Sequence, residues 1–204
     1  GSNTALINLL INLFVGLSVG ANVVVARDLG AGRNDSVRKD VHTTITLALI
    51  SGVGRVQGFM VPKGNPKQIT GIDDLKQRRV TFANRQRGAG TRILFDYVLK
   101  QQGMAAEEIN GYEKEYATHM AVAISVKSGV ADTGLGVYSA ARAMNLDFIP
   151  LSNEQYDFLL PAEYLEDERV QQFISILSSA SFQQQLLDLG GYDVAHTGKI
   201  RIIE

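Results

Sequence analysis

The sequence predicts an α/β domain with a mixed or parallel sheet over residues 54–204, preceded by a hydrophobic helical segment over residues 1–53. Three observations carry this. Short β-prone runs alternate with amphipathic runs through the second part, the pattern of strands and helices packed in layers. Arg79-Val80-Thr81-Phe82-Ala83 leads into Asn84-Arg85-Gln86-Arg87-Gly88-Ala89-Gly90-Thr91-Arg92 and then the apolar-periodic run Ile93 to Leu99, which reads as strand, glycine turn and helix. Residues 5–26 form a stretch of 22 residues without a charged side chain. That is enough for a helix to cross a hydrocarbon core, which takes about 20 residues.

The first segment predicts a helix over residues 5–26. Asn8, Asn12 and Asn22 are costly in lipid and would face other helices or a cavity. A polar loop from Arg27 to Asp40 follows, then a second apolar run from Thr43 to Val53 that amounts to about half a span. From Arg55 onward the pattern changes. Val56 to Pro62 reads as a strand, and Lys63-Gly64-Asn65-Pro66 as a turn. Ile72 to Lys76 reads as a short helix after Gly71. Glu113 to Tyr116 reads as a short strand. Thr118 to Ser128 has helical periodicity, and Gly129 supplies the stop. Ala131 to Gly136 reads as a buried strand running into a glycine turn, and Tyr138 to Met144 as a helix. Phe148 to Leu151 and Tyr156 to Pro161 read as two strands. Val170 to Leu177 and Phe182 to Leu189 read as amphipathic helices.

Composition excludes several functions. The net charge is -1, so nothing suggests a nucleic-acid surface. Without cysteine there are no disulfides, thiolate metal sites or cysteine nucleophile. His42, His119 and His196 lie far apart and match no metal spacing, and no cofactor motif is present. There is no nucleophile elbow and no phosphate loop ending in Gly-Lys-Ser or Gly-Lys-Thr. The expectation is a binding domain, not an enzyme.

The glycine turn is the candidate site. Gly88 and Gly90 let the backbone approach a ligand closely. Thr91 offers a cap and a hydroxyl, and the helix start adds unpaired N–H groups that favour an anion. Arg85, Arg87 and Arg92 add positive charge. Ala89 lies inside the same turn. His119, beside Thr118 at a helix start, can donate to an oxyanion, help bind a pterin or make a structural hydrogen bond. Tyr138 can contact ligand or pack. Asp132 can serve as a catalytic carboxylate or, the favoured reading, as a cap or turn, and His196 reads as solvated.

Two resemblances extend this reading. Asn12-Leu13-Phe14-Val15-Gly16-Leu17-Ser18-Val19-Gly20-Ala21-Asn22-Val23-Val24-Val25-Ala26-Arg27, with Gly30-Ala31-Gly32-Arg33 and Val41-His42-Thr43, resembles part of a multidrug and toxin extrusion (MATE) transporter. The likeness implies a fragment of an efflux protein and membrane association through residues 5–26. The second part resembles a type II periplasmic-binding-protein-like domain of the molybdate-binding, molybdopterin-biosynthesis-associated kind. The matching motifs are Pro62 to Pro66, Asn84 to Arg92, Gly111 to Glu113, Thr118 to Ala123, Gly129 to Gly136, Asp147 to Leu151 and Gly191 to Asp193. This implies a cytoplasmic domain that binds or senses a small ligand: an oxyanion such as molybdate or tungstate, or a molybdenum-cofactor precursor. The implied contacts are Arg87, Gly88, Ala89, Gly90, Thr91, Arg92, Thr118, His119 and Tyr138, with Ala89 where the family usually carries serine. The second lobe, about residues 63–150, is complete by this likeness. The first lobe is truncated, because the transporter-like segment stands where its leading elements belong. The chain then reads as a transporter fragment fused to a binding domain, or as a non-functional chimera.

Overall fold

The structure is a computed structural model that describes residues 46–77 and 79–203. It divides into two compact units: residues 55–154, and, among the described residues, 46–54 with 155–203. The helix expected over residues 5–26 lies outside the described residues.

In residues 55–154 a mixed sheet forms the centre. Its strand order is β3-β2-β4-β1-β5, from β1 (Leu47–Val61), β2 (Phe82–Arg85), β3 (Glu115–Tyr116), β4 (Thr133–Val137) and β5 (Asp147–Pro161). β2 runs parallel to β3 and to β4. β1 runs antiparallel to β4, with Gln57 opposite Val137 and Met60 opposite Gly134. Side chains alternate across a strand, so neighbours serve opposite faces. Phe59 and Phe82 join one apolar cluster with Leu75, Val80, Phe95, Leu99 and Leu135. Met60 and Ala83 join another with Val122, Ala123, Val126, Ala140 and Ala141. Phe82 stacks on Phe95 with ring centroids 4.3 Å apart. Every residue of β2 and β4 is buried, as parallel strands covered on both faces require.

Three helices follow the three parallel strands. These are α1 (Gly90–Gln101), α2 (His119–Lys127) and α3 (Tyr138–Ala143). α1 starts five residues after the end of β2, α2 three after β3, and α3 directly after β4. All three therefore begin at the carboxyl edge of the parallel strands, where ligands of open α/β sheets bind.

In the other unit the first half of β1 pairs antiparallel with β7 (Ile200–Ile203), Leu47 opposite Ile203 and Ile50 opposite Ile200. β6 (Tyr192–Asp193) also pairs with β1. Helices α4 (Glu168–Leu177) and α5 (Ala180–Leu189) are capped by the side chains of Asp167 and Ser179. Phe158 packs edge-on against Phe173, with centroids 4.9 Å apart.

Four expectations are corrected. Residues 47–53, expected in the helical segment, are strand. Leu47 to Ile50 alternates half-buried with buried, a period of two. At Gly52 a Cβ would run into the carbonyl of Tyr156, so only glycine admits the neighbouring chain. Second, the strand expected over residues 79–83 sits at Phe82–Arg85. Third, the break expected between residues 151 and 156 is absent, and β5 runs unbroken. Its polar Glu154 meets Arg55 and Gln57 on β1 instead of ending the strand. Fourth, β7 had no counterpart in the expectation. Among the described residues, no helix is long and apolar enough to cross a membrane.

Candidate functional site

The turn after β2 places the predicted residues at the start of α1. Gly88 has φ +83, a conformation that favours glycine. Thr91 does not cap the helix. The cap position is Ala89, which makes no side-chain bond, and Thr91 lies in the first turn. Its hydroxyl is buried without a hydrogen-bond partner. Gly90 and Gly88 are exposed, with open space where a Cβ would stand.

The arginines separate by role. Arg87 is exposed and lies 3.5 Å from both Glu113 and Glu115. Arg92 points inward. Its guanidinium sits 3.0 Å from both Asp96 and Glu115 and 4.2 Å from the centre of the Tyr112 ring. Tyr112 in turn donates its hydroxyl to Asp96 at 2.9 Å. Arg92 is thus committed to holding α1 against its neighbours.

Arg85, the last residue of β2, is fully buried and donates to the carbonyls of Tyr116 (3.1 Å) and Ala117 (2.7 Å). Burial and the neighbouring Arg55 push its guanidinium down to about 10. Arg55 lies on β1, buried and paired with Glu154, which also accepts from the Gln57 amide. Gln57 faces the last residue of β4, so β1 carries it and Arg55 to the same carboxyl edge.

His119 opens α2, and Thr118 caps it by accepting the Ala121 N–H at 3.0 Å. The imidazole is buried, and neither ring nitrogen has a hydrogen-bond partner. The structural hydrogen bond weighed for it from sequence is absent. Burial, with Arg85 and Arg55 nearby, holds its pKa well below the usual 6.5, so the ring is neutral. Gly136 lies beside it: a Cβ there would collide with the Met60 side chain and stand at ordinary contact, 3.5 Å, from His119 Nδ1. Burial is the larger cause of both shifts, with Arg55 acting on each from nearby.

Tyr138 starts α3, partly exposed, with its ring edge-on to Phe148 at 5.3 Å. Asp132 accepts the Thr81 N–H at 2.8 Å, a turn role. His196 is exposed beside Lys199. Among the described residues no group of His, Asp and Glu is placed to hold a metal ion. Topology therefore brings Thr91, His119 and Tyr138 to one edge. Arg55, Gln57 and Glu154 were missed. The signal for them was present: Arg55 is the one charged residue in the buried strand from Leu47 to Val61.

A sheet whose parallel strands end in helix starts, lined with buried polar groups, is the arrangement in which open α/β sheets bind ligands. A family model described as PBP superfamily domain matches residues 23–178. The chain belongs to that superfamily. The match takes in residues 23–53, so it lends no support to a transporter segment there. The uncharacterized protein YvgK of Bacillus subtilis (strain 168) is 37% identical over 162 residues, covering 79% of this chain and 52% of that protein. The chain thus spans about half the length of that relative. The substrate-binding domain of a putative molybdenum ABC transporter from Clostridium difficile superposes with TM-score 0.50 at 17% identity, over 71% of this chain and 66% of the other. A phosphate-bound putative phosphate ABC transporter substrate-binding protein from Clostridium perfringens gives TM-score 0.51 at 12% identity, over 70% of each chain.

Proposed function

We propose that residues 55–154 bind a small oxyanion at the carboxyl edge of the parallel strands, without catalysis. The observation that carries this is the Thr91 hydroxyl, 1% exposed and without a partner in the first turn of α1. An unpaired buried hydroxyl costs stability. A ligand oxygen would satisfy it together with the helix-start N–H groups. The open space over Gly90, whose backbone needs no glycine, fits a group approaching that turn. Arg85 supplies positive charge close by, the charge of Arg55 being paired with Glu154. The neighbours described as molybdenum and phosphate binders point the same way, and molybdate, tungstate or a molybdenum-cofactor precursor are members of the class.

Calorimetry with molybdate, tungstate, sulfate and phosphate tests it. At least one should bind saturably, and Thr91→Val should weaken that binding tenfold or more, the value of about 1.5–3 kcal/mol for a bond to a charged group. An unchanged affinity in Thr91→Val sinks the helix-start site. Arg92 is the wrong probe, because its removal unpairs Asp96 and Glu115.

Residues 5–26 support a second reading, in which the chain attaches to a membrane with its binding domain in the cytoplasm. The uncharged 22-residue run carries it. The chain should then sediment with membranes and need detergent for release. Full recovery in the soluble fraction overturns it.

A further inference from the structure

The unit of residues 46–54 and 155–203 carries an apolar groove that plays no part in the carboxyl-edge site. It has a volume of about 430 Å³ and runs between the end of β5 and α4, over Phe158, Leu159, Leu160, Tyr164, Val170 and Phe173. Leu159 and Tyr164 are 45% and 51% exposed, and the other four are half-buried. The charged residues on its lining, Asp167 and Arg169, pair with each other at 2.6 Å and leave little net charge. A contiguous apolar surface of this kind marks a site of contact. The described chain begins beside it: the Thr46 carbonyl accepts the Ala162 N–H at 2.8 Å, just ahead of Tyr164. Residues 1–45 therefore join the molecule next to the groove.

Residues 5–26 supply a matching surface. Set on a helix at about 100° per residue, their polar side chains, Asn8, Asn12, Ser18 and Asn22, fall within about 120° of one another. Leu6, Leu10, Leu13 and Leu17 lie opposite, within about 60°. A membrane span would hold all four polar groups in hydrocarbon or need partner helices for them. A helix laid on one apolar surface buries its leucines and leaves the polar stripe in water. The run carries no charge, so nothing in it opposes the paired Asp167 and Arg169. Residues 27–45 bridge from Ala26 to Thr46 and reach roughly 60 Å when extended, ample for the return. We propose that residues 5–26 dock as a helix in the groove between β5 and α4 of the same chain, leucine face inward. This is independent of the oxyanion site and competes with the membrane placement of the same residues.

The chain has no cysteine, so introduced pairs report cleanly. Leu159→Cys is combined in the full chain with Leu10→Cys, Leu17→Cys or Asn12→Cys, and each dilute double variant is treated with a short bismaleimide. Asn12 lies between the two leucines in sequence but on the other side of the helix. Peptide mass mapping should find the intramolecular cross-link several-fold more abundant in at least one leucine pair than in the asparagine pair, on chain recovered without detergent. Equal yields from the two faces, or no cross-link from either, overturn the docking. Cross-links that join two chains overturn it and give the groove to a second copy. Chain released only by detergent overturns it and returns the segment to lipid. Thermal melting checks the fold of each variant, and Tyr164→Cys, exposed on the same groove, replaces Leu159→Cys should that variant fail to fold. The calorimetric test of the oxyanion site stands apart from every one of these outcomes.

Discussion

His119 shows how one side chain ties stability to acidity. Burial first, then Arg85 and Arg55, hold its pKa well below 6.5 in the folded chain. The unfolded chain takes up a proton near 6.5 that the folded chain refuses. Its contribution to stability is therefore complete above about pH 6.5 and is lost as pH falls below that value. The loss approaches about 1.4 kcal/mol per pH unit for one proton. Urea unfolding midpoints at pH 7.5 and 5.5 should differ more for the wild type than for His119→Gln, which does not titrate. Equal pH dependence in the two would show that folding leaves the ring's pKa unshifted. At this scale the sequence told part of the story. It marked His119 and Thr91 as helix-start residues. It did not mark Arg55 or Gln57, because their role arises from register against β4 and from Glu154, 99 and 97 positions away along the chain.

Among the elements, β1 and β5 depend on close strand approach. At Gly58 a Cβ would meet the carbonyl of Ile149 and the Phe148 ring. Backbone cannot yield there, so Gly58→Ala should cost on the order of 3 kcal/mol or prevent folding. Gly64 is the contrast. Its φ is +76, but the space around it is open. Gly64→Ala should cost only about 1 kcal/mol, the strain of the left-handed backbone. Thermal melts of the pair check the ordering, and equal costs would show that strand proximity is not the constraint at Gly58. The helix starts α1, α2 and α3 were readable because turn glycines, a capping threonine and apolar periodicity are local signals. The strand over residues 47–53 was not. Seven apolar or small residues in a row suit a buried strand and a helix alike.

Across the whole molecule, protection should follow burial on both faces. Hydrogen exchange followed by mass spectrometry should find β2 and β4, whose residues are all buried, exchanging most slowly. β7, whose four residues are all exposed, should exchange fastest among the strands. The reverse order would contradict the sheet arrangement. The sequence by itself determined the α/β character, the strand-turn-helix after residue 80 and the helix start at Gly90, because each follows from neighbours a few residues apart. Only the tertiary structure decided that Arg92 is bound to Asp96 and Glu115, that Arg55 is bound to Glu154 and that Arg85 is buried against the carbonyls of Tyr116 and Ala117. Only it left Gln57, Thr91 and His119 buried without partners. Those facts depend on which strands pair and in what register, and register is set by contacts between residues far apart along the chain.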